Sequence, residues 1–489
     1  MNLAAIVAVS AATLLAGFYG LRLARTTSDF YVASRAVSPV ANASAIGGEY
    51  LSAASFLGVA GLVLTNGADM LWLPVGWTGG YLVLLVLVSA PLRRSGAYTL
   101  PDFAEARLES MAVRRASALL VVLIGWLYLL PQLQTAGRVL AAVTGGPRWT
   151  GGALVAAIVI IGVWSGGMRS ITLVQAFQYW LKLTALAVPL VFLLIAWRGD
   201  GSPGVSDPTW LLPLQQEHQL YATYSLILAT FLGTMGLPHV LVRFYTNPEG
   251  RAARRTTAVV LGLLGLFYLL PAAYGALGRV YASDLADPDF VVLELPHRLV
   301  GGLGGDLLGA LLTAGAFAAF LSTSSGLTVS VAGVIGQDLF HGGVRSFRAA
   351  TLLAIGVPLS VALAVPSSLP VATMVGLAFA LAASTFCPLL VLGIWWRGLT
   401  AAGALAGLVA GGVLAGGAVV FTVALGAGRG WGATLLAQPG AWTVPVTFLV
   451  MILVSRRTAA PAGVARTMVR LHTPEALALD RGDWRPRRV

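Results

Sequence analysis

Polar groups inside long apolar runs are costly, so the places where this sequence keeps them are the places where it can do chemistry. The first is Glu49, which follows the pair Gly47-Gly48 in a span that begins near Val40. At the helical rise this carboxylate lies about 14 Å deep, near the middle of a ~30 Å hydrocarbon layer. A charge there needs freed backbone groups or water, and a glycine pair weakens the helix that would withhold them. The second is Gly233-Thr-Met-Gly236-Leu-Pro238-His239, where proline removes an amide donor at comparable depth. Either break alone reads as a packing kink. Two Gly/Pro-interrupted spans in matching positions point instead to a transporter's central site, because broken helices turn carbonyls and dipole ends toward ion and substrate.

Two further groups extend this chemistry. In Ala319-Phe-Leu-Ser322-Thr323-Ser324-Ser325 the first residue and the two hydroxyls fall at i, i+3 and i+4, on one helical face. Hydroxyls with nearby carbonyls suit a hard cation such as Na⁺, although a Ser/Thr run alone more often bonds neighbouring helices. Lys182 lies about 16 Å along its span, too deep to reach either interface easily. Its candidate partners are Glu49 and a substrate carboxylate; a neutral amine and simple snorkelling are the alternatives.

The elements that hold these groups are membrane helices. Hydrophobic residues make up 57% of the 489 and charged ones only 10%, against about 25% charged in soluble domains. Apolar runs of about 20 residues recur throughout, and the short alternating segments of an outer-membrane barrel are missing. Cutting at charge clusters and Gly/Pro-rich loops predicts thirteen spans from Leu3–Leu21 to Ala441–Val454, the fifth (Gly152–Trp164) and last being short. Of the 31 Lys and Arg, 24 fall in the loops and tail on one side, six on the other, and Lys182 within a span. This bias predicts an outside N-terminus and a cytoplasmic C-terminus in a multi-pass cell-membrane protein, and explains the net charge of +12 without nucleic acid. The first apolar stretch precedes its basic residues, the reverse of a signal peptide, and is expected to stay as a helix. Cys387 stands alone, without a disulfide or zinc partner. Residues 1–455 form the expected transporter domain; 456–489, with Arg485, Arg487 and Arg488, form a basic tail suited to cytosol or anionic lipid.

Six strings in order carry a resemblance to the sodium:solute symporter family, and within it to the acetate and short-chain monocarboxylate permeases. They are Phe30-Tyr-Val-Ala-Ser-Arg35, Gly48-Glu-Tyr-Leu-Ser-Ala-Ala-Ser-Phe-Leu-Gly58, Leu92-Arg-Arg-Ser-Gly-Ala-Tyr-Thr99, Gly236-Leu-Pro-His239 with Arg243-Phe244, Gln337-Asp338-Leu339 and Gly376-Leu-Ala-Phe-Ala380. The resemblance implies an all-α, LeuT-like fold of inverted five-helix repeats, here about 38–198 and 220–397. It also implies Na⁺ between the second and ninth spans, held by the carbonyls of Gly48, Leu51 and Ala319 and the hydroxyls of Ser322 and Thr323. Thr172 falls where some members carry an aspartate behind this site. Glu49 and Lys182 resemble an acid and a lysine of the acetate subgroup and are the charge-coupling candidates. Substrate is expected near Tyr50, Ser55, Gly236, Pro238 and His239.

The expected function is therefore Na⁺-coupled symport of a small anion of the acetate, propionate or pyruvate class, with no cofactor besides the coupling ion. Symport with H⁺, using Glu49 and Lys182 as titrating groups, and carriage of another small solute such as proline are the alternatives. A channel or membrane sensor fits less well, because the polar groups form isolated clusters rather than rings. An enzyme fits least: paired carboxylates, His/Cys metal spacing and a phosphate loop are all missing.

Overall fold

The computed structural model describes residues 1–21, 33–212, 218–340, 342–365, 369–425, 430–475 and 477. The start of the string at Phe30 and the tail arginines Arg485, Arg487 and Arg488 lie outside them. The described chain is helical. Among the described residues, ten helices are long and apolar enough to cross a membrane, or eleven if the pair Trp431–Ala437 and Gly440–Ser455, bent by 66°, is one span, against the thirteen expected. The difference comes from two long apolar runs, 54–94 and 149–199, that each pass as one helix by length although the chain kinks inside both, where the sequence reading divides them. Each contains a glycine in the left-handed region, Gly67 (φ 71°) and Gly167 (φ 55°), a conformation that costs little only without a Cβ.

The helices used below are α1 (Asn2–Leu21), α2 (Pro39–Tyr50), α3 (Val59–Asn66), α4 (Trp72–Val83), α5 (Leu100–Leu108), α6 (Met111–Thr144), α7 (Trp149–Gly199), α8 (Gln219–Gly236), α9 (Pro238–Tyr245), α10 (Gly250–Tyr281), α11 (Gly302–Asp338) and α12 (Val371–Trp395). α2 starts sharply: Pro39 occupies its first turn and Ser38 Oγ accepts the Ala41 N–H, which satisfies a donor the helix cannot. It ends at Tyr50, and Leu51 (φ −76°, ψ 82°) leaves helical geometry before the chain re-enters a π-turn at Ala54–Gly58 and then α3. The second break follows the same plan. α8 stops at Gly236, Leu237 is extended (φ −74°, ψ 117°), and Pro238 opens α9.

The first break is not where the glycine pair predicts it. Gly47 and Gly48 are helical, and the opening comes a turn later, at Leu51 and Ser52. The glycines serve packing instead: a Cβ on Gly48 would stand 2.1 Å from the Gln175 carbonyl oxygen and one on Gly47 would stand 2.7 Å from the Tyr179 ring. They let α2 lie against α7 with backbones nearly touching. The second broken span repeats the device against α12, since a Cβ on Gly233 or Gly236 would meet the carbonyl oxygen of Phe379 or Ala382 at 2.4 Å. α11 runs through the centre, buried from Gly309 to Gly336 apart from Leu311, and packs on α7, α6, α1 and α2.

The loop motifs brace one end of this bundle. Thr99 and Asp102 cap α5 reciprocally, which satisfies two orphan donors. Arg114 at the start of α6 joins Asp102 (2.9 Å), Glu105 and Asp338 (2.5 Å), tying α5, α6 and the end of α11 together. Arg107 donates to the carbonyls of Gly393 (2.7 Å) and Trp396 (3.1 Å), closing the end of α12; burial lowers its guanidinium to about 10.

Candidate functional site

The two breaks and α11 enclose a buried polar cluster. Glu49, on the last turn of α2, receives the Nε of Arg243 at 2.7 Å, and both side chains are almost wholly buried. Arg243 spends its other donors on Thr172 Oγ1 (2.7 Å) and on Gln175 Oε1, both on α7. Gln175 in turn donates to the Ser322 carbonyl (2.7 Å), and Thr323 Oγ1 donates to the Glu49 carbonyl (2.6 Å). Gly326 makes room for the acid: a Cβ there would lie 2.1 Å from the Glu49 carboxyl carbon. A buried ion pair persists only when its remaining hydrogen-bonding capacity is met, and α7 meets that of Arg243 through Thr172 and Gln175. Glu49 Oε1 has no hydrogen-bond partner among the described residues.

Lys182 is fully buried and does not pair with Glu49 by contact. Its Nζ donates to the carbonyls of Gly48 (2.5 Å) and Leu51 (2.7 Å) and to Ser322 Oγ (3.0 Å). The break creates one of these acceptors: Ser52 N–H, which would bond the Gly48 carbonyl in a continued helix, bonds the Tyr50 carbonyl instead. Ala319 lies one bond further out, its carbonyl accepting from Ser322 Oγ (3.2 Å). Four of the five groups expected to hold Na⁺ are thus linked by hydrogen bonds, three of them holding the lysine, while Thr323 Oγ1 is spent on the Glu49 carbonyl. Thr172 stands behind them, bonded to Arg243.

Of the expected substrate residues, Tyr50 joins an aromatic cluster around Phe379. Tyr50, Trp77 and Tyr128 pack their rings on Phe379 at centroid distances of 6.1, 5.6 and 6.0 Å. Tyr50 OH reaches Thr234 Oγ1 (2.8 Å) and Ser55 Oγ reaches Tyr268 OH (2.9 Å). His239 stands edge-on to Tyr128 at 5.3 Å, with neither ring nitrogen hydrogen-bonded among the described residues. Gly236 is a backbone contact to α12, and Pro238 shapes the break without offering a backbone N–H.

Sequence reasoning missed Arg243, Gln175 and Gln132. Arg243 was readable within the motif string but stands at the edge of the predicted span, where it passes for a loop charge. Gln132 Oε1 accepts the Ala53 N–H (3.0 Å), a donor freed by the break, while its Nε2 has no partner among the described residues. Its only signal was a glutamine inside an apolar run.

The chain resembles known proteins along most of its length. A family model described as the sodium:solute symporter family matches residues 30–411. An uncharacterized symporter, YwcA, from Bacillus subtilis is 33% identical over 429 residues, covering 83% of each chain. A protein named monocarboxylic acid transporter from Corynebacterium glutamicum is 30% identical over 482 residues, covering 88% of this chain and 87% of its own. Among solved structures, an outward-open Na⁺-coupled sialic acid symporter superposes with a TM-score of 0.73 at 15% identity, over 94% of this chain and 98% of that one. Mhp1, a nucleobase-cation-symport-1 family transporter in a closed conformation, gives 0.58 at 15% identity, over 92% of this chain and 100% of that one. At such identities these structures speak for the fold.

Proposed function

Because the chain belongs to the sodium:solute symporter family and is thus a multi-pass membrane transporter rather than an enzyme, we propose that it takes up a small monocarboxylate, acetate being the simplest, by symport with Na⁺. In this reading residues 1–455 are the transporter, with repeats at about 38–198 and 220–397, an outside N-terminus and a cytoplasmic tail from 456. Alternating access runs around the two broken spans.

The observation that carries the substrate class is the set of unspent donors near the first break. Gln132 Nε2, Trp77 Nε1 and Tyr81 OH are buried without a hydrogen-bond partner among the described residues, and Tyr81 stands 5.0 Å from the Tyr50 ring. Buried donors are costly unless matched, and a carboxylate matches them with four lone-pair sites and needs no cation. The surrounding aromatic rings offer apolar contact to a short chain. The Corynebacterium relative's name supports the same class. One observation favours symport with H⁺ as a second reading: an amine already fills the oxygen cage.

Proteoliposomes loaded with buffer and given radiolabelled acetate, propionate, pyruvate or proline under an imposed Na⁺ or H⁺ gradient test this. Carboxylate accumulation driven by Na⁺ is expected. Accumulation under the H⁺ gradient alone would move the coupling to protons, and uptake of proline alone would overturn the substrate class. Gln132→Leu is expected to raise the KM for acetate by about 10- to 100-fold, the loss of one hydrogen bond to a charged group. An unchanged KM would remove this amide from the substrate site. Replacing Ser322 and Thr323 together with Ala is expected to raise the Na⁺ concentration for half-maximal uptake. Unchanged Na⁺ dependence in that double variant would take the ion off α11.

A further inference from the structure

We propose that Lys182 is a tethered competitor for Na⁺: its ammonium and the ion are alternative occupants of one oxygen cage, so Na⁺ enters only as the lysine withdraws. The inference uses the symport reading for its role in transport, while the competition itself is a matter of binding.

The hydrogen bonds identify the occupant. The carbonyls of Gly48 and Leu51 can only accept, and Ser322 Oγ commits its proton to the Ala319 carbonyl. Its contact with Lys182 is then also a donation from the amine. Three donations need three N–H groups, which an ammonium has and a neutral amine lacks. The cage thus holds a compact monovalent cation surrounded by carbonyl and hydroxyl oxygens, which is also how such groups hold Na⁺.

Charge and space agree with competition rather than coexistence. Glu49 is already matched by Arg243, so Lys182 adds the single positive charge that Na⁺ would bring. Nζ stands within hydrogen-bond distance of Gly48 O, Leu51 O and Ser322 Oγ at once, and an ion touching the same three oxygens would occupy the same point. Because the amine is attached to the wall of the site, it competes at a high effective concentration whatever the bulk medium contains. Snorkelling does not describe this side chain, which is wholly buried and ends on acceptors from two other spans.

The test is Na⁺ binding to the purified full-length protein in detergent, followed by ²²Na⁺ scintillation proximity and by the Na⁺-dependent rise in melting temperature at constant ionic strength. Lys182→Ala is expected to bind Na⁺ at least about tenfold more tightly than the wild type, and adding Ser322→Ala to it should reverse the gain. Equal Na⁺ affinity in wild type and Lys182→Ala, or weaker affinity in the variant, would overturn the proposal. Should Lys182→Ala fail to fold, Lys182→Met keeps the stem's volume and carries the same expectation and the same refutation. Failure of the carboxylate reading shows differently, as missing uptake with this pattern of Na⁺ binding intact.

Discussion

Arg243→Met is expected to abolish transport and to cost about 3–5 kcal/mol of stability, the penalty for leaving one member of a buried ion pair alone. Arg243 is the hub of the cluster: its guanidinium holds the Glu49 carboxylate, Thr172 and Gln175, and through Gln175 reaches the Ser322 carbonyl on α11. Removing it strands a carboxylate that is almost wholly buried and releases the side chain that orients α7 toward α11. Adding Glu49→Gln removes the stranded charge, so the double variant should regain much of the melting temperature lost by Arg243→Met. It should not regain uptake, because the link between the first break and α7 is still missing. Thermal unfolding in detergent and proteoliposome uptake separate the two effects. Wild-type uptake by Arg243→Met, or a double variant no more stable than the single, would refute this account.

The second large effect is steric. Gly48→Ala places a Cβ 2.1 Å from the Gln175 carbonyl oxygen and 2.8 Å from its carbon. Both are backbone atoms, which cannot swing aside as the end of a side chain can. α2 must then move off α7, and overpacking of this kind typically costs about 1–3 kcal/mol. The functional cost is expected to be larger than the thermodynamic one, since the same shift moves the Gly48 carbonyl away from the cage and Glu49 away from Arg243. Gly262 and Gly265 on α10 are the controls. Among the described residues an added Cβ meets nothing within 4 Å at either position, so Ala there is expected to be silent or slightly stabilising, by up to about 1 kcal/mol. Comparing uptake and Na⁺ dependence across the three variants checks this. Gly48→Ala transporting like Gly262→Ala would show that the close approach of α2 and α7 does not matter.

Much of this molecule was legible in the order of its residues. Apolar runs long enough to cross a bilayer determine a helical membrane protein, because lipid offers the backbone no other partners. Gly236 and Pro238 determined the second break by local chemistry: Pro238 lacks the N–H and fixes its own backbone torsion. Glu49, Lys182, Ser322 and Thr323 stood out because polar groups in such runs need a reason. The remainder depended on distances between segments far apart in the chain. Gly47 and Gly48 looked like the opening of α2, yet the approach of Gln175 and Tyr179, more than 120 positions away, makes them a packing face, and the helix opens at Leu51. Nor could the sequence say that Glu49 takes Arg243 and Lys182 takes the carbonyls of the break. Both cations were compatible with the acid, and only the packing of α2, α7, α9 and α11 fixed which one reaches it and which one reaches the oxygen cage. Local propensity acts over a few residues, whereas a buried charge chooses its partner by where the folded backbone places it.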